Sequence, residues 1–317
     1  QNQASILHNK KSHLRMSNII VSLNEASKTY GRLNALSDIN LALPKGEVLG
    51  LFGHNGAGKT TMMKLILGVI SATSGQVSVF GTNPDSKEAW HTRTRMGYLP
   101  ENVSFYEHLT GMEVLTYFAK LKGSNKKTAA ALLEQVGLSH AMQRQVKTYS
   151  KGMRQRLGLA QAFIGEPKLL LLDEPTVGLD PIATQEFYQT VDQLKSSGAS
   201  IILCSHVLPG VEQHIDRAMI LSSGKQLAIG TLNELRSQAT LNVTIKPHGL
   251  NGSIVEDARL KEYWCIEQQS LFVPEPDKVE VLRHLLNHNA LSDISVSPAS
   301  LNQLYQHFLS THEGEQP

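Results

Sequence analysis

A glycine-rich loop between an apolar run and a second, longer apolar run constrains the fold of this chain more than any other feature. The run VLGLF at residues 48–52 is apolar at successive positions, which is typical of a strand buried on both faces. Next comes GHNGAGKTT at residues 53–61, which satisfies the pattern G-x-x-x-x-G-K-[ST], and TMMKLIL follows with the character of a buried helix. This strand–loop–helix order predicts an α/β fold that binds the phosphates of a nucleotide.

The residue types of this loop suit a triphosphate. Its glycines allow backbone angles closed to other residues, so successive N–H groups can point at phosphate oxygens, and the helix N-terminus adds positive potential. Lys59 is expected to reach the β- and γ-phosphates, and Thr60 to ligate Mg²⁺. We expect nucleotide contacts from the whole loop: Gly53, His54, Asn55, Gly56, Ala57, Gly58, Lys59, Thr60 and Thr61.

A second element, LLLLDE at residues 169–174, supplies the carboxylates that such a site needs. Four leucines predict a core strand that ends at Asp173, beside the loop, where an aspartate can hold Mg²⁺ directly or through water. Glu174 follows, and a carboxylate that faces the γ-phosphate can orient and polarise the attacking water. By itself an apolar run ending in Asp-Glu is a weak signal, but together with the loop it becomes strong.

Composition limits the class of protein. Of 317 residues, 41% are hydrophobic and 18% charged, which is ordinary for a globular chain, and a net charge of +2 does not indicate a nucleic-acid partner. Cys204 and Cys265 are far apart, so we predict neither a zinc motif nor a disulfide framework and expect a reducing compartment. The sequence contains no run of 18 apolar residues, so it predicts no membrane-spanning helix.

Changes in the pattern of apolar and polar residues along the chain predict the domain boundaries. Residues 1–15 are polar and patternless and are predicted to be a disordered leader, while residues 16–235 form the nucleotide-binding domain. Within this domain, a helical subdomain is predicted at about residues 100–165. Thr110 and Glu113 have the spacing of a capping box. Residues 238–317 predict a small α+β accessory domain with a loose tail.

The run TYSKGMRQRLGLAQA at residues 148–162 leads to a named family. It resembles the signature of the ATP-binding cassette (ABC) ATPases, usually LSGGQ followed by a basic helix, and the resemblance covers roughly residues 18–235. Ser150 and Gly152 keep the family's letters, whereas Lys151 departs from them and adds a positive charge. Ser150 is well placed as a helix N-cap. In the family this element meets the γ-phosphate held by the opposite subunit.

Other family positions follow in order, and the resemblance implies their roles. Tyr30 lies where the family stacks an aromatic ring on adenine, and Asp180, in VGLDP, matches the loop that meets the partner across the dimer. His206 matches the switch histidine that contacts the γ-phosphate. Glu101, in GYLPEN, stands where many relatives have Gln; it adds a negative charge, and we expect it to sense the metal and the membrane partner.

The resemblance implies an ATPase that uses ATP and Mg²⁺, with a P-loop core, a helical subdomain and the accessory domain. It also implies a second copy of the chain and an integral-membrane permease as partners, at the cytoplasmic face of the bacterial inner membrane. Longer runs, including LLDEPTVGLDPIATQ and SIILCSHVLPGVE, resemble the ATPase subunits of Nos systems, which serve copper-site maturation of nitrous oxide reductase. That closer resemblance adds a periplasmic accessory protein to the expected partners.

Alternatives to this interpretation remain open. The chain could energise another ABC exporter with a different cargo, or act as a soluble ABC protein outside transport. The sequence does not name the cargo, which could be copper, a sulfur species or something else. A P-loop kinase does not explain the signature helix, and a GTPase lacks an N-K-x-D motif. His284 and His288 are four residues apart on a predicted helix, and we expect solvated side chains there rather than metal ligands.

Overall fold

The computed structural model describes residues 18–206, 208, 210–250 and 257–313. The predicted leader at residues 1–15 lies outside the described residues, as does the end of the predicted tail. The chain divides into two compact units, Gln1–Leu227 and Ala228–Pro317, where the sequence alone places the domain boundary near residue 235. Among the described residues, no helix combines the length and the apolar character needed to cross a lipid bilayer.

The strands of the nine-stranded sheet are, in chain order, β1 (Ile19–Tyr30), β2 (Leu33–Pro44), β3 (Val48–Phe52), β4 (Ser74–Val79), β5 (Met96–Leu99), β6 (Leu169–Asp173), β7 (Ser200–Cys204), β8 (Arg217–Ser222) and β9 (Lys225–Gly230). The helices of the first unit are α1 (Lys59–Leu67), α2 (Trp90–Thr94), α3 (Gly111–Leu121), α4 (Lys126–Gln135), α5 (Lys151–Phe163) and α6 (Pro181–Ser196).

The strand order of this sheet is β4-β1-β2-β9-β8-β3-β7-β6-β5. Strands β1, β2 and β4 pair antiparallel, whereas β8, β3, β7, β6 and β5 pair parallel. The parallel strands β3, β6 and β7 are buried at every position, which explains their continuous apolar runs. Because their carboxyl ends meet at one edge of the sheet, the loops that follow them are brought together.

Helices α3, α4 and α5 share a hydrophobic core of their own. Helix α3 begins with the predicted capping box, which is confirmed: the Thr110 hydroxyl accepts from the backbone N–H of Glu113, and the Glu113 carboxylate accepts from the N–H of Thr110 at 2.8 Å. The N-cap prediction for Ser150 is also confirmed, since its hydroxyl accepts from the N–H of Met153 at the start of α5.

The elements of the second unit are α7 (Leu232–Ala239), β10 (Val243–His248), β11 (Trp264–Cys265), β12 (Ser270–Val273), α8 (Lys278–Leu285), β13 (Asp293–Ser297) and α9 (Leu301–Glu313). Its four strands form an antiparallel sheet with the order β11-β12-β10-β13. The core of this unit includes Leu260, Leu271 and Leu285, all fully buried.

Residues 217–225 form β8 followed by a turn into β9, with Ser223 and Gly224 both at positive φ. One local prediction is wrong in detail. The helix predicted through His288 ends at Leu285, so His288 lies in the turn beyond α8.

Candidate nucleotide site

The phosphate loop lies between β3 and α1, and its lysine is hydrogen-bonded to the backbone of the loop itself. Lys59 is buried, and its Nζ donates to the backbone carbonyl oxygens of Gly53 at 2.6 Å and His54 at 3.2 Å. The His54 ring lies 3.2 Å from the Ser222 hydroxyl through Nε2, which ties the loop to the end of β8. The ammonium group is therefore positioned at the centre of the loop at little further cost in side-chain entropy.

The backbone of the loop leaves room for an anion. Gly58 has φ +106°, and a Cβ atom there would lie 2.6 Å from the side chain of Leu36 and 2.9 Å from the carbonyl oxygen of Ala35. By contrast, a Cβ atom on Gly56 would meet no described atom within 4 Å. Gly58 thus lets the loop pack closely against β2, whereas the loop stays open at Gly56. This arrangement fits a chain of phosphate groups bound by backbone N–H groups.

Asp173, at the carboxyl end of β6, lies against the loop as predicted. Thr60 donates a hydrogen bond through Oγ1 to Asp173 Oδ2 at 3.2 Å, so the hydroxyl and carboxylate converge as a Mg²⁺ site requires. Asp173 is only 2% exposed. Burial raises the pKa of its carboxyl, and the negative charges of Glu101 and Glu174 raise it further, while the Thr60 hydrogen bond and Lys59 oppose the rise. A divalent cation at this position would relieve that electrostatic cost.

Glu174 is held by its backbone in an unusual conformation. Its φ is +51°, a left-handed value that costs free energy for a residue other than glycine and is often found at functional sites. The surroundings maintain it, because the N–H of Glu174 donates to Cys204 O at 3.0 Å and its carbonyl accepts from Gln155 Nε2 at 3.1 Å. The side chain of Glu174 is buried, with 7% of its surface exposed.

His206 follows β7 and contacts Glu174 directly. Its Nδ1 lies 2.8 Å from Glu174 Oε2, and its backbone N–H donates to the same oxygen at 3.3 Å. The imidazole is 58% exposed, whereas the carboxylate is buried. An exposed ring that bonds a buried carboxylate can orient that carboxylate and still reach a ligand arriving from solvent.

A cavity of ≈ 560 Å³ collects most of the predicted site residues. The Tyr30 ring stands at its edge and is 46% exposed, available to stack on a flat heterocycle. Glu101 lines the same cavity as the phosphate loop and both carboxylates. The described residues that line it are Tyr30, Leu33, Asn34, Ala35, Asn55, Gly56, Ala57, Gly58, Lys59, Thr60, Thr61, Glu101, Asp173, Glu174 and Ser223.

Ser150, Lys151 and Gly152 do not line this cavity within the described part of the chain. They begin α5, where Ser150 and Lys151 are exposed. A Cβ atom on Gly152 would lie 2.5 Å from the Gly178 carbonyl oxygen, so only glycine allows this close packing of the helix against the VGLDP loop. Asp180, from the same loop, caps α6 by accepting from the N–H of Ala183.

Two supporting side chains were not found from the sequence. Gln155 is buried on α5, and its amide donates to the carbonyl oxygens of both Glu174 and Pro175. Arg156, one residue later, pairs with Asp180 at 3.0 Å. Helix α5 is therefore fixed at two points to the segment between β6 and α6. Both side chains lie in the signature run at residues 148–162, but a single sequence does not display which groups they contact in the fold.

Comparison with known proteins places this geometry in a family. The family described as "ABC transporter" matches residues 36–177. The bacitracin transport ATP-binding protein BcrA of Bacillus licheniformis is 33% identical over 87% of this chain and 96% of its own length. The chain belongs to the ABC transporter family. The predicted fold class, ATPase activity and ATP and Mg²⁺ cofactors are confirmed, and the chain is an ATP-binding subunit of an ABC transporter.

Further matches agree with this assignment. An uncharacterized ABC transporter ATP-binding protein of Synechocystis sp. is 39% identical over 68% of the chain, which spans only 64% of that relative's length. A solved ATP-binding subunit of an ABC transporter is 33% identical and superposes with a TM-score of 0.64, covering 69% of this chain and 92% of that one. Each of these two matches covers about two thirds of the chain.

Proposed function

We propose that two copies of this ABC subunit close on ATP to form composite sites, and that this closure drives a membrane permease. One observation carries the proposal. Lys59, Thr60 and both carboxylates converge on one cavity, whereas Ser150 and its neighbours start a helix outside it. A second chain that brings its own helix N-terminus to this cavity would complete the shell around the γ-phosphate.

Within one chain, each group has a distinct task. Lys59 and the loop N–H groups bind the phosphates, Tyr30 stacks on the adenine, and Thr60 with Asp173 holds Mg²⁺, which neutralises charge on the β- and γ-phosphates. Glu101 adds a carboxylate near that cation. Glu174 accepts a proton from the attacking water, and His206 holds its carboxylate in place and contacts the γ-phosphate.

The second chain contributes the signature element. Its Ser150, Lys151 and Gly152 present the N-terminus of α5 with its partial positive charge, and the Lys151 ammonium adds a full one. Asp180 lies at the surface of the adjoining loop, where the partner chain would meet it. The ion pair between Arg156 and Asp180 would hold that loop ready for contact.

A complementation experiment tests the composite site. The Lys59→Ala chain lacks a working phosphate loop and the Ser150→Arg chain lacks a working signature, so each alone should be inactive. A mixed dimer contains one site built from the intact loop of one chain and the intact signature of the other, so mixing should restore part of the ATPase rate. If mixing restores nothing although both variants fold and dimerise, the composite site is contradicted.

We further propose that the transporter is a Nos-type system, at the cytoplasmic face of the inner membrane, with a permease and a periplasmic accessory protein as partners. The support is that long runs, composed mostly of residues with no assigned catalytic role, resemble the ATPase subunits of Nos systems. These runs include PIATQ and CSHVLPGVE. The bacitracin relative, which matches nearly the whole of its length, favours export of a peptide antibiotic as the second candidate.

Two measurements on one deletion strain separate these candidates. If the Nos assignment is right, loss of the chain leaves nitrous oxide reductase without its copper-site absorption and leaves bacitracin sensitivity unchanged. The opposite pattern supports the exporter. A Glu174→Gln copy should fail to restore either phenotype, whereas a Glu186→Gln copy, altered at an exposed position of α6, should restore it.

A further inference from the structure

A second group of metal-ligating side chains lies in the second unit, apart from the residues of the nucleotide site. His284, on α8, and His288, in the following turn, both direct Nε2 at Oδ2 of Asp257, at 2.6 and 3.2 Å. From the sequence, these histidines are predicted to be solvated. In the structure their side chains are only 27% and 25% exposed, and that of Asp257 is 15% exposed.

We propose that Asp257, His284 and His288 form a binding site for one divalent transition-metal ion of the Zn²⁺ type. The three ligand atoms lie within 4.8 Å of one another. Tetrahedral ligands at ordinary Zn–N and Zn–O distances are about 3.3–3.6 Å apart, so seating an ion requires shifts of less than about 1 Å. Two imidazoles and one carboxylate form a borderline donor set, which suits first-row transition ions better than Mg²⁺ or Ca²⁺.

The Asp257 carboxylate is already oriented for this task. Its Oδ1 accepts from the backbone N–H of Arg259 at 2.9 Å, which leaves Oδ2 to face the two imidazoles. Such outer hydrogen bonds hold a ligand in the geometry that the ion needs. Leu260 and Leu285, both fully buried, anchor the neighbouring backbone in the hydrophobic core on either side of the site.

Binding of an ion would change the tautomer of both imidazoles. Without an ion, each neutral imidazole can satisfy the shared oxygen only by donating from a protonated Nε2. On binding, Nε2 loses that proton and becomes the ligand atom, and each neutral ring takes up one proton at Nδ1, so no net proton is released. The ion would link Asp257 to residues 27 and 31 positions later, closing a long loop of the chain.

Zn²⁺ binding to the full-length chain tests the site. The chain should be free of any polyhistidine tag and of nucleotide, and excess Mg²⁺ should occupy the hard oxygen sites. We expect one equivalent of Zn²⁺ to remain after dialysis, and Co²⁺ to give the visible absorption of a tetrahedral site. Asp257→Asn and His284→Gln should weaken binding at least about tenfold. His248→Gln, an exposed histidine of the same unit, should bind like the unaltered chain.

The result on the unaltered chain decides the question even if a variant fails to fold. If it retains no Zn²⁺, or if Asp257→Asn retains as much as the unaltered chain, the proposal is overturned and the three side chains form only a hydrogen-bonded cluster. A second readout is thermal: Zn²⁺ should raise the unfolding temperature of the unaltered chain and of His248→Gln, but not that of Asp257→Asn. Equal shifts in all three would also reject the site.

Discussion

His206 Nδ1 and its own backbone N–H both lie within hydrogen-bonding distance of Glu174 Oε2, at 2.8 and 3.3 Å. The buried carboxylate of Glu174 is therefore held from two directions by one residue, His206, in the loop that follows β7. The Glu174 backbone is fixed independently through Cys204 and Gln155. Contacts within the protein thus fix both the position and the orientation of this side chain, as expected for a group that must meet a water molecule at one angle.

Glu174→Gln should abolish turnover while sparing nucleotide binding. The amide keeps the shape of the side chain and can still accept from His206, but it cannot accept a proton. We expect phosphate release to fall about 10²- to 10⁴-fold, the usual contribution of a general base. ATP affinity should stay within about twofold, and the closed dimer should accumulate in size-exclusion chromatography with ATP. Normal turnover by this variant would remove Glu174 from its assigned role.

His206→Ala should lower the rate by a different route. Without the imidazole, Glu174 keeps its charge but loses one of the two contacts that orient it. We expect a fall of about 10- to 10³-fold in the ATPase rate, with unchanged unfolding temperature because the ring is mostly exposed. His140→Gln, at another exposed histidine, provides the control. A rate equal to that of the control would show that the contact is not needed.

The sequence predicted the motif-bearing elements because their signals are local. The run VLGLF, the glycines after it and LLLLD define strand ends whose meeting at one sheet edge follows from their burial. The capping box at Thr110 and the N-cap at Ser150 depend only on residues three positions away. The phosphate loop and the end of β6 supply most of the residues that line the nucleotide cavity.

Elements with weak local patterns could not be predicted. Strand β4, with the sequence SGQVSV, is exposed over its first half, and β5 has only four residues, so neither gives a clear alternation. The contacts of Gln155 with Glu174 and of Asp257 with His284 join residues 19 and 27 positions apart. Such pairs depend on tertiary packing, which a single sequence does not display.

Asp173→Asn should stabilise the nucleotide-free protein while it abolishes Mg²⁺-dependent hydrolysis. Burial raises the Asp173 pKa, so the folded state binds the proton more tightly than the unfolded state does. This group therefore favours folding at acid pH and opposes it as pH rises through the raised pKa.

The neutral amide removes that cost, and at neutral pH we expect the unfolding temperature to rise by about 2–4 °C. The gain should shrink as pH falls through the raised pKa of Asp173 and should be absent below the ordinary aspartate pKa of 3.8. Adding Mg²⁺ with ATP should stabilise the unaltered chain more than the variant. Asp85→Asn, at an exposed position, should show neither effect. A lower unfolding temperature for Asp173→Asn at neutral pH would contradict this account.

Thr110→Ala should destabilise the first unit through the start of α3. The substitution leaves the backbone N–H of Glu113 without its hydroxyl acceptor, and the Glu113 carboxylate loses the Thr110 hydroxyl. Loss of such a cap costs about 1 kcal/mol, which corresponds to about 2–4 °C in a unit of this size. Differential scanning calorimetry measures it, with Thr190→Ala inside α6 as the control. Equal unfolding temperatures for the two variants would show that the cap contributes little.

Glu101→Gln should separate metal binding from nucleotide binding. Glu101 shares the cavity with Asp173 and contributes to the raised pKa of that carboxyl, so its charge is felt at the metal position. Removing the charge weakens the attraction for Mg²⁺ and relieves repulsion of the triphosphate. We expect the Mg²⁺ concentration for half-maximal ATPase activity to rise on the order of three- to tenfold, while ATP binding without Mg²⁺ tightens.

Transport with the permease should also fall in Glu101→Gln, because the same loop is proposed to meet the membrane partner. Glu107→Gln, at an exposed position six residues later, should change none of these quantities. If Glu101→Gln matches that control in both ATPase rate and transport, the coupling role of Glu101 is lost.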